Sequence, residues 1–365
     1  MQTLALEIDT PRHVAADRIE PSILNTALAE LTDSDWPAAA LGRYLPRLVR
    51  AAATLAPAQR LPWLIGLRQC WERHGHAFDA TAKVALLELA SAWACWPLVI
   101  AVGETLPARG TDEAMQRRLC EAYHAIGRID TAIDLSVAMQ LAWPARHDHA
   151  ANHRHLLAWR GWRERATLSM SGIAHPEDPL SLEPLGHQHA ADFAWQYYDP
   201  AIAQLCCLPQ FENVEQWHAW LDESYSPGDL QLFAVLHRQW GCIGCVGLVL
   251  DGATGFFFYW LGRDFQGYGF GPGAAAQLLA AAHREVGMRR CYAKVYDYNT
   301  PSRAALAKIG FVDTGLRAAA PHQDQLFYRI GEPDSEASIA RELHTLVARL
   351  DAEVRVAAPW TGLVI

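Results

Sequence analysis

The chain has 365 residues, a length that suits two domains better than one. With 51% hydrophobic residues against 19% charged ones it is a globular chain rather than a disordered one. Its formal charge is −9 and no Lys/Arg run is dense enough to neutralise phosphates, which excludes nucleic acid as an expected partner. A polyanionic ligand would have to be held by a local device such as a helix N-terminus.

The opening "MQTLALEIDTPRHVAADRIE" has no basic patch ahead of an apolar core, so no signal peptide is expected and the expected location is cytoplasmic. From Pro21 to Leu168 the pattern is helical. Apolar residues recur at three and four: Leu45, Leu48, Val49 and Ala52, then Leu61, Leu64, Leu67 and Cys70. Breaks at 56–59, 74–81 and 106–112 divide this half into six or seven helices. The most apolar window, Ala85 to Gly103, contains Glu88 and Pro97, so it reads as buried helix and no membrane partner is expected.

Within "LCEAYHAIGRIDTAIDLSVAMQLAWP", Leu119, Cys120, Tyr123, Gly127, Ala132 and Pro144 fall at offsets that resemble a tetratricopeptide repeat. Gly127 would close one helix, Ala132 would let the second approach, and Pro144 would end it. Ser136 and Met139 depart from that pattern, and an unrelated helical bundle is the alternative. His147, His149, His153 and His155 follow. His149 and His153, four apart, could share a metal, but no carboxylate or cysteine completes a set at suitable spacing, so a solvated helix start is expected and no metal is assigned. Cys242 and Cys245 fall in a strand pattern that points them to opposite faces, against a shared zinc ion.

A Gly/Pro-bearing segment, Ser169 to Pro179, is the expected linker. Next come a short strand "LSLEPL", helices from His187 to Leu208 and over "VEQWHAWLDESY", and the strands "LQLFAVLHR", "CIGCVGLVL" and "GFFFYWLG". Asp251-Gly252 predicts a hairpin between the last two. The antiparallel meander then runs into "QGYGFGPG" and a helix stopped by Gly287; a strand "CYAKVYDYN" and a helix "TPSRAALAKIG" follow.

Three ligand classes can be tested on this glycine loop. A nucleoside triphosphate loop requires a lysine after its last glycine, and none follows Gly273. A dinucleotide fold fits poorly, because Pro272 interrupts the glycine pattern and the preceding hairpin is antiparallel. Gln266-Gly267-Tyr268-Gly269-Phe270-Gly271 does match the signature Arg/Gln-x-x-Gly-x-Gly/Ala, and the chain here resembles the GNAT N-acetyltransferase family. Asn299, Ser302, Lys308, Gly310 and Phe311, with "YWLGRDFQGYGFG", resemble the ribosomal-protein-acetylating branch, over about Leu180 to Ile330.

The resemblance implies an α+β fold with a GNAT-like mixed sheet flanked by helices (178–331), and apolar periodicity places an all-α helical domain (1–170) before it and a C-terminal helix and apolar tail (332–365) after it. It implies acetyl-CoA as co-substrate, its pyrophosphate held by Gln266, Gly267, Tyr268, Gly269, Phe270 and Gly271 through converging N–H groups and a helix dipole. Splayed strands ending near Trp260 and Tyr298 would admit the pantetheine arm, and N–H groups around Leu261 would donate to the thioester oxygen. Asn299 would hold the coenzyme or form the turn before Pro301; Ser302 would donate to the leaving thiolate or serve the helix start. The tyrosine that other branches use as acid falls at Leu306.

No general base is legible: Phe256 and Phe257 stand where many relatives carry a glutamate, and Asp297, Glu212, Glu223, His322 and Asp324 each also read as surface residues. The expected function is acetyl transfer to a primary amine, with a peptide or protein acceptor positioned by the helical half. The alternatives are transfer of a longer acyl chain, for which Phe256, Phe257 and Phe258 could line a channel, and a non-catalytic coenzyme-A-binding scaffold. The stripe Ile339, Leu343, Leu346, Val347 and Leu350 is expected to dock on the helical domain or on a second subunit, which would make a homodimer.

Overall fold

The computed structural model describes residues 45–46, 49–50, 52–106, 112–170, 173, 177–206, 208–350 and 354–357. The opening twenty residues, Leu48, most of the expected break at 106–112, much of the expected linker and the apolar tail from 358 lie outside the described residues.

Two compact units are present, Met1–Ala92 and Trp93–Ile365. The division falls inside the helical half, so the helices beyond Ala92 belong to the same unit as the sheet. In the first unit, α1 (Pro57–His74) starts at a proline whose missing N–H costs nothing there, and buries Trp63, Leu64, Leu67 and Cys70 at helical spacing. It is followed by α2 (Ala80–Ala92). The second unit opens with α3 (Trp96–Gly103), so the apolar window at 85–103 is two helices with a break between them. No described helix is long and apolar enough to cross a membrane.

The helices α4 (Glu113–Ala125) and α5 (Ile129–Ala142) form the expected hairpin. Asp112 caps α4 by accepting the Met115 N–H at 2.8 Å. Gly127 turns the chain at φ +78°, and fully buried Ala132 lets the Cys120 thiol reach its carbonyl at 3.4 Å. The departure at Ser136 has a local reason: its hydroxyl donates to the Ile133 carbonyl at 2.7 Å and lies 2.7 Å from His153 Nδ1 on α6 (His147–Ala166). The start of α6 is therefore only partly solvated. His147 and His155 are exposed, but His149 is buried, tilted on Trp143.

The sheet has eight strands in the order β1-β2-β3-β4-β5-β7-β6-β8. β1 (Leu180–Pro184), β2 (Leu230–His237), β3 (Gly241–Asp251) and β4 (Thr254–Leu261) are antiparallel in sequence, and the β3–β4 turn is the predicted Asp251-Gly252 hairpin. β4 then pairs in parallel with β5 (Arg290–Tyr296), but only over Thr254–Phe257 against Arg290–Ala293. Beyond that the two strands separate. β6 (Val312–Ala318), β7 (Gln325–Ile330) and the short β8 (Val356–Ala357) complete the sheet.

A register shift corrects the cysteine geometry. Val235 pairs with Gly244 but Leu236 pairs with Cys242, so Ile243 is an extra residue in β3. The bulge brings Cys242 and Cys245 into one core cluster rather than onto opposite faces, and burial raises both thiol pKa values. That cluster joins Trp260 to α7 (Ala190–Gln196), α8 (Pro200–Cys206) and α9 (Val214–Tyr225) through Phe193, Ile202, Trp217 and Leu221.

The C-terminal helix α12 (Glu336–Leu350) also departs from expectation. Its stripe packs on the sheet itself rather than on the helical hairpins: Ile339, Leu343, Leu346 and Val347 lie against Val249, Phe256, Tyr292 and Phe327. Arg290 fixes it there, bonding Glu342 at 2.7 Å, and the Tyr292 hydroxyl donates to the same carboxylate at 2.7 Å. On the opposite face lie α10 (Phe270–Val286) and α11 (Thr300–Ile309), reached by Phe257 and Tyr259, since alternate residues of β4 point to opposite faces.

The hairpins are fastened to the sheet by buried polar contacts. Trp96 Nε1–H donates to Asp192 Oδ2 at 2.7 Å. His189 accepts the Gly186 N–H on Nδ1 at 3.0 Å, which leaves Nε2–H to donate to the Ala125 carbonyl at 3.0 Å. Arg163 meets Glu183 at 3.2 Å.

Candidate functional site

The separation of β4 from β5 opens a cleft of about 490 Å³. Phe257 and Tyr259 from one face of β4, and Phe258 and Trp260 from the other, all line it. The cleft therefore passes through the plane of the sheet. Its other walls are Ile202, Leu205 and Cys206 of α8, Ala293 to Val295 of β5, and Asn299, Ser302 and Leu306 at α11.

Ladder alternation shows which backbone groups face the gap. The Gly262 N–H donates to the Ile243 carbonyl at 2.8 Å, so residue 262 is bonded to β3 and its neighbour Leu261 is turned the other way. The N–H groups of Leu261 and Tyr259 point to the β5 side, where pairing has ended. The Leu261 carbonyl on that side accepts from Gln266 Nε2 at 3.0 Å. Gln266 thus pins the loop to the end of β4.

At the cleft mouth the glycine loop starts α10. Gly267 and Gly269 have φ +85° and +84°, and a Cβ at either would meet nothing within 4 Å. These two are glycines for conformation, and they border open space. The Gly273 N–H donates to the Gly269 carbonyl at 3.1 Å, the first α10 bond, so the Phe270 and Gly271 N–H groups precede the ladder. Pro272 has no donor to leave unsatisfied. Two amides and the positive end of a 17-residue helix converge on one point, a site suited to a phosphate or pyrophosphate. Gly271 is a glycine for another reason: a Cβ there would lie 2.6 Å from the Tyr259 ring.

Of the residues expected at this site, Leu261, Gln266, Gly267, Gly269, Phe270, Gly271, Asn299 and Ser302 all line the cleft. Tyr268 does not; it is 72% exposed and stacked on Phe270 at 5.7 Å. Asn299 caps α11, accepting the Ser302 N–H on Oδ1 at 3.2 Å. That frees the Ser302 hydroxyl from capping. Sequence reasoning missed Tyr259, which lines the same cleft as Ser302 and whose phenol is raised in pKa by burial. Period-two alternation in "FFFYWL" was the available signal that it shares a face with Phe257; nothing local linked it to a serine 43 positions later.

Among the described residues lining the cleft there is no carboxylate, and Lys294 and Lys308 are its charged groups. Asp297, Glu212, Glu223, His322 and Asp324 are all outside the lining. Away from the cleft, Glu113, Asp148 and His149 place ligand-type atoms within 4.8 Å of one another. Arg146 already occupies that cluster, at 3.0 Å from Glu113 and 2.8 Å from Asp148, so its negative charge is compensated by a guanidinium.

Residues 180–312 match the family described as the acetyltransferase (GNAT) domain. With the splayed sheet and its glycine-led helix, that match supports an acyl-CoA-dependent acetyltransferase domain of GNAT type over residues 180–312. No curated protein matches the sequence. Among solved structures, the chain is similar to the microcin C7 self-immunity acetyltransferase MccE in complex with acetyl-CoA and AMP, at 18% identity over 46% of this chain and 97% of that one, TM-score 0.40. It is also similar to the ribosomal-protein-S5-alanine acetyltransferase from Vibrio fischeri (18% identity, 44% and 97% covered, TM-score 0.38). A third is the spermidine N-acetyltransferase from Vibrio cholerae in complex with CoA and spermine (17%, 41% and 93%, TM-score 0.37).

Proposed function

We propose that the domain at 178–331 transfers an acetyl group from acetyl-CoA to the α-amino group of a peptide or protein, as in the ribosomal-protein-acetylating branch, with the helical hairpins positioning the acceptor. The observation that carries this reading is the gap between β4 and β5, open through the sheet and ending at the glycine-led start of α10. Gly269, Phe270 and Gly271 would hold the pyrophosphate, the pantetheine arm would complete the missing pairing beside β4, and the Leu261 or Tyr259 N–H would polarise the thioester carbonyl.

The lining favours an α-amine over lysine. With no carboxylate at hand to take a proton, the acceptor must reach the cleft neutral, and nearby lysines and apolar walls favour that form. At about pH 7.5 roughly a third of α-amines are neutral, against about 0.1% of lysine side chains. Calorimetric titration with acetyl-CoA, then mass spectrometry of a mixed peptide library, tests the reading. N-terminal acetylation supports it; acetylation confined to lysine side chains refutes the α-amine preference, and binding without any turnover favours the scaffold.

A second reading, transfer of a longer acyl chain, is favoured by Phe256, Phe257 and Phe258 all lining the cleft. Turnover of a series of acyl-CoA chain lengths on one acceptor separates the two.

A further inference from the structure

Residues opposite one another in the β3–β4 ladder point to the same face: Cys245 with Trp260, Gly247 with Phe258, and Val249 with Phe256. Cys245 and Trp260 are buried in the core under α7, α8 and α9, and Val249 and Phe256 in the core under α12. Phe258, between the two, is only partly buried, at the edge of the first core. Gly247 decides where its ring lies. A Cβ at Gly247 would collide with the far end of the Phe258 ring, so the ring reaches back over β3, on the side of β4 away from the gap. With no side chain opposite, it lies down there and the space above the gap stays open. Phe258 still lines the cleft, together with Trp260 and with Ile202, Leu205 and Cys206 of α8, and Leu205 is 39% exposed. An exposed leucine and a partly exposed phenylalanine in one concave wall are apolar surface that a ligand's apolar group would remove from water.

We propose that Phe258 is a specificity-determining residue: with Leu205 it forms the pocket for the first side chain of the acceptor peptide, and it selects apolar first residues such as leucine over glycine. The proposal rests on the acetyltransferase reading. The phosphate-binding amides belong to α10, on the face reached by Phe257 and Tyr259, so acetyl-CoA enters from that face. An α-amine must then meet the thioester from the face of Phe258, and the side chain on the same α-carbon is set against this wall. Gly247 acts through Phe258: a side chain there would push the ring toward the gap and make the pocket shallower.

The test is kcat/KM for acetyl transfer to a set of peptides that differ only in their first residue, glycine, alanine, leucine or phenylalanine. The wild type should prefer leucine to glycine at least about tenfold. Phe258→Ala deepens the pocket and should move the preference from leucine toward phenylalanine, whereas Gly247→Ala should bring the leucine-to-glycine ratio toward one. Calorimetry with acetyl-CoA shows that each variant is folded, since this wall is not the phosphate site, and Phe258→Leu gives a second, milder reading of the same ratio if either alanine variant fails to fold. A wild-type ratio near or below one, or ratios that none of the folded variants changes, would overturn the assignment. So would a Phe258→Ala that changes the preference among acyl-CoA chain lengths but not among peptides, which would give the wall to the acyl chain. A wild type that acetylates no peptide α-amine would instead overturn the parent reading.

Discussion

Replacing Gly271 by alanine tests the packing that positions Tyr259. The added Cβ would lie 2.6, 3.2 and 3.3 Å from three atoms of the Tyr259 ring, against an ordinary carbon contact of about 3.5–4.0 Å. The ring must retreat by about 1 Å, and Phe257 stacked on it resists. Overpacking of this kind costs about 1–3 kcal/mol, while alanine in place of glycine in a helix returns up to about 1 kcal/mol, leaving a net loss of about 1–2 kcal/mol. Thermal unfolding of the ligand-free protein should fall by several degrees, at about 2–4 °C per kcal/mol. Turnover should fall as well, because the displaced Tyr259 ring and the Gly271 backbone both line the cleft. Gly273→Ala is the matched control: its Cβ meets only Leu180 at 3.4 Å, so that variant should be neutral or slightly stabilised. Equal stability and turnover for the two variants would refute the reasoning.

Acid stability should report the buried seam. Burial holds His124 at about 3 and His189 at about 4, below the ordinary 6.5, so both stay neutral when folded but protonate when unfolded, and stability falls as pH drops below about 6.5. Glu183 is pushed up by burial to about 7 from 4.5, so its folded form binds the proton first and stability rises as pH falls through that window. Between about pH 7 and pH 5.5 the net loss is on the order of 1 kcal/mol, and in Glu183→Gln on the order of 2.5 kcal/mol; urea unfolding at several pH values would show it, and an unchanged pH slope in the variant would count against it. Asn299→Ala removes the α11 cap and should cost about 1 kcal/mol in the same assay, with no more than a modest change in acetyl-CoA affinity if its role is capping alone. Leu343→Ala empties a fully buried contact between α12 and the sheet and should cost about 2–5 kcal/mol; a loss below about 1 kcal/mol would mean the helix is not docked there.

Elements whose pattern is local were legible in the sequence. The β3–β4 hairpin follows from Asp251-Gly252, the ends of α10 and α11 from Gly287 and Gly310 in the left-handed region, and the α4–α5 hairpin from Gly127 and Ala132. Features set by pairing between distant segments were not. The Ile243 bulge arises only when β3 meets β2, so alternation alone put Cys242 and Cys245 on opposite faces. The α12 stripe shows that a face is buried without showing against what, and the partner turned out to be Val249, Phe256 and Phe327. At the site, the glycine loop and Asn299-x-x-Ser302 are contiguous motifs, whereas Tyr259 facing the same cleft as Ser302 and the α8 wall of Ile202, Leu205 and Cys206 depend on tertiary packing.

The most direct measurement is calorimetric titration of the full chain and of Gly269→Val with acetyl-CoA. Valine at φ +84° is strained and sets its side chain into the open space before the α10 amides. Saturable binding by the wild type, weakened at least about tenfold in a variant that keeps its circular dichroism, is the expected result. A wild type that does not bind, or a folded variant with unchanged affinity, would contradict the placement of acetyl-CoA on the glycine loop.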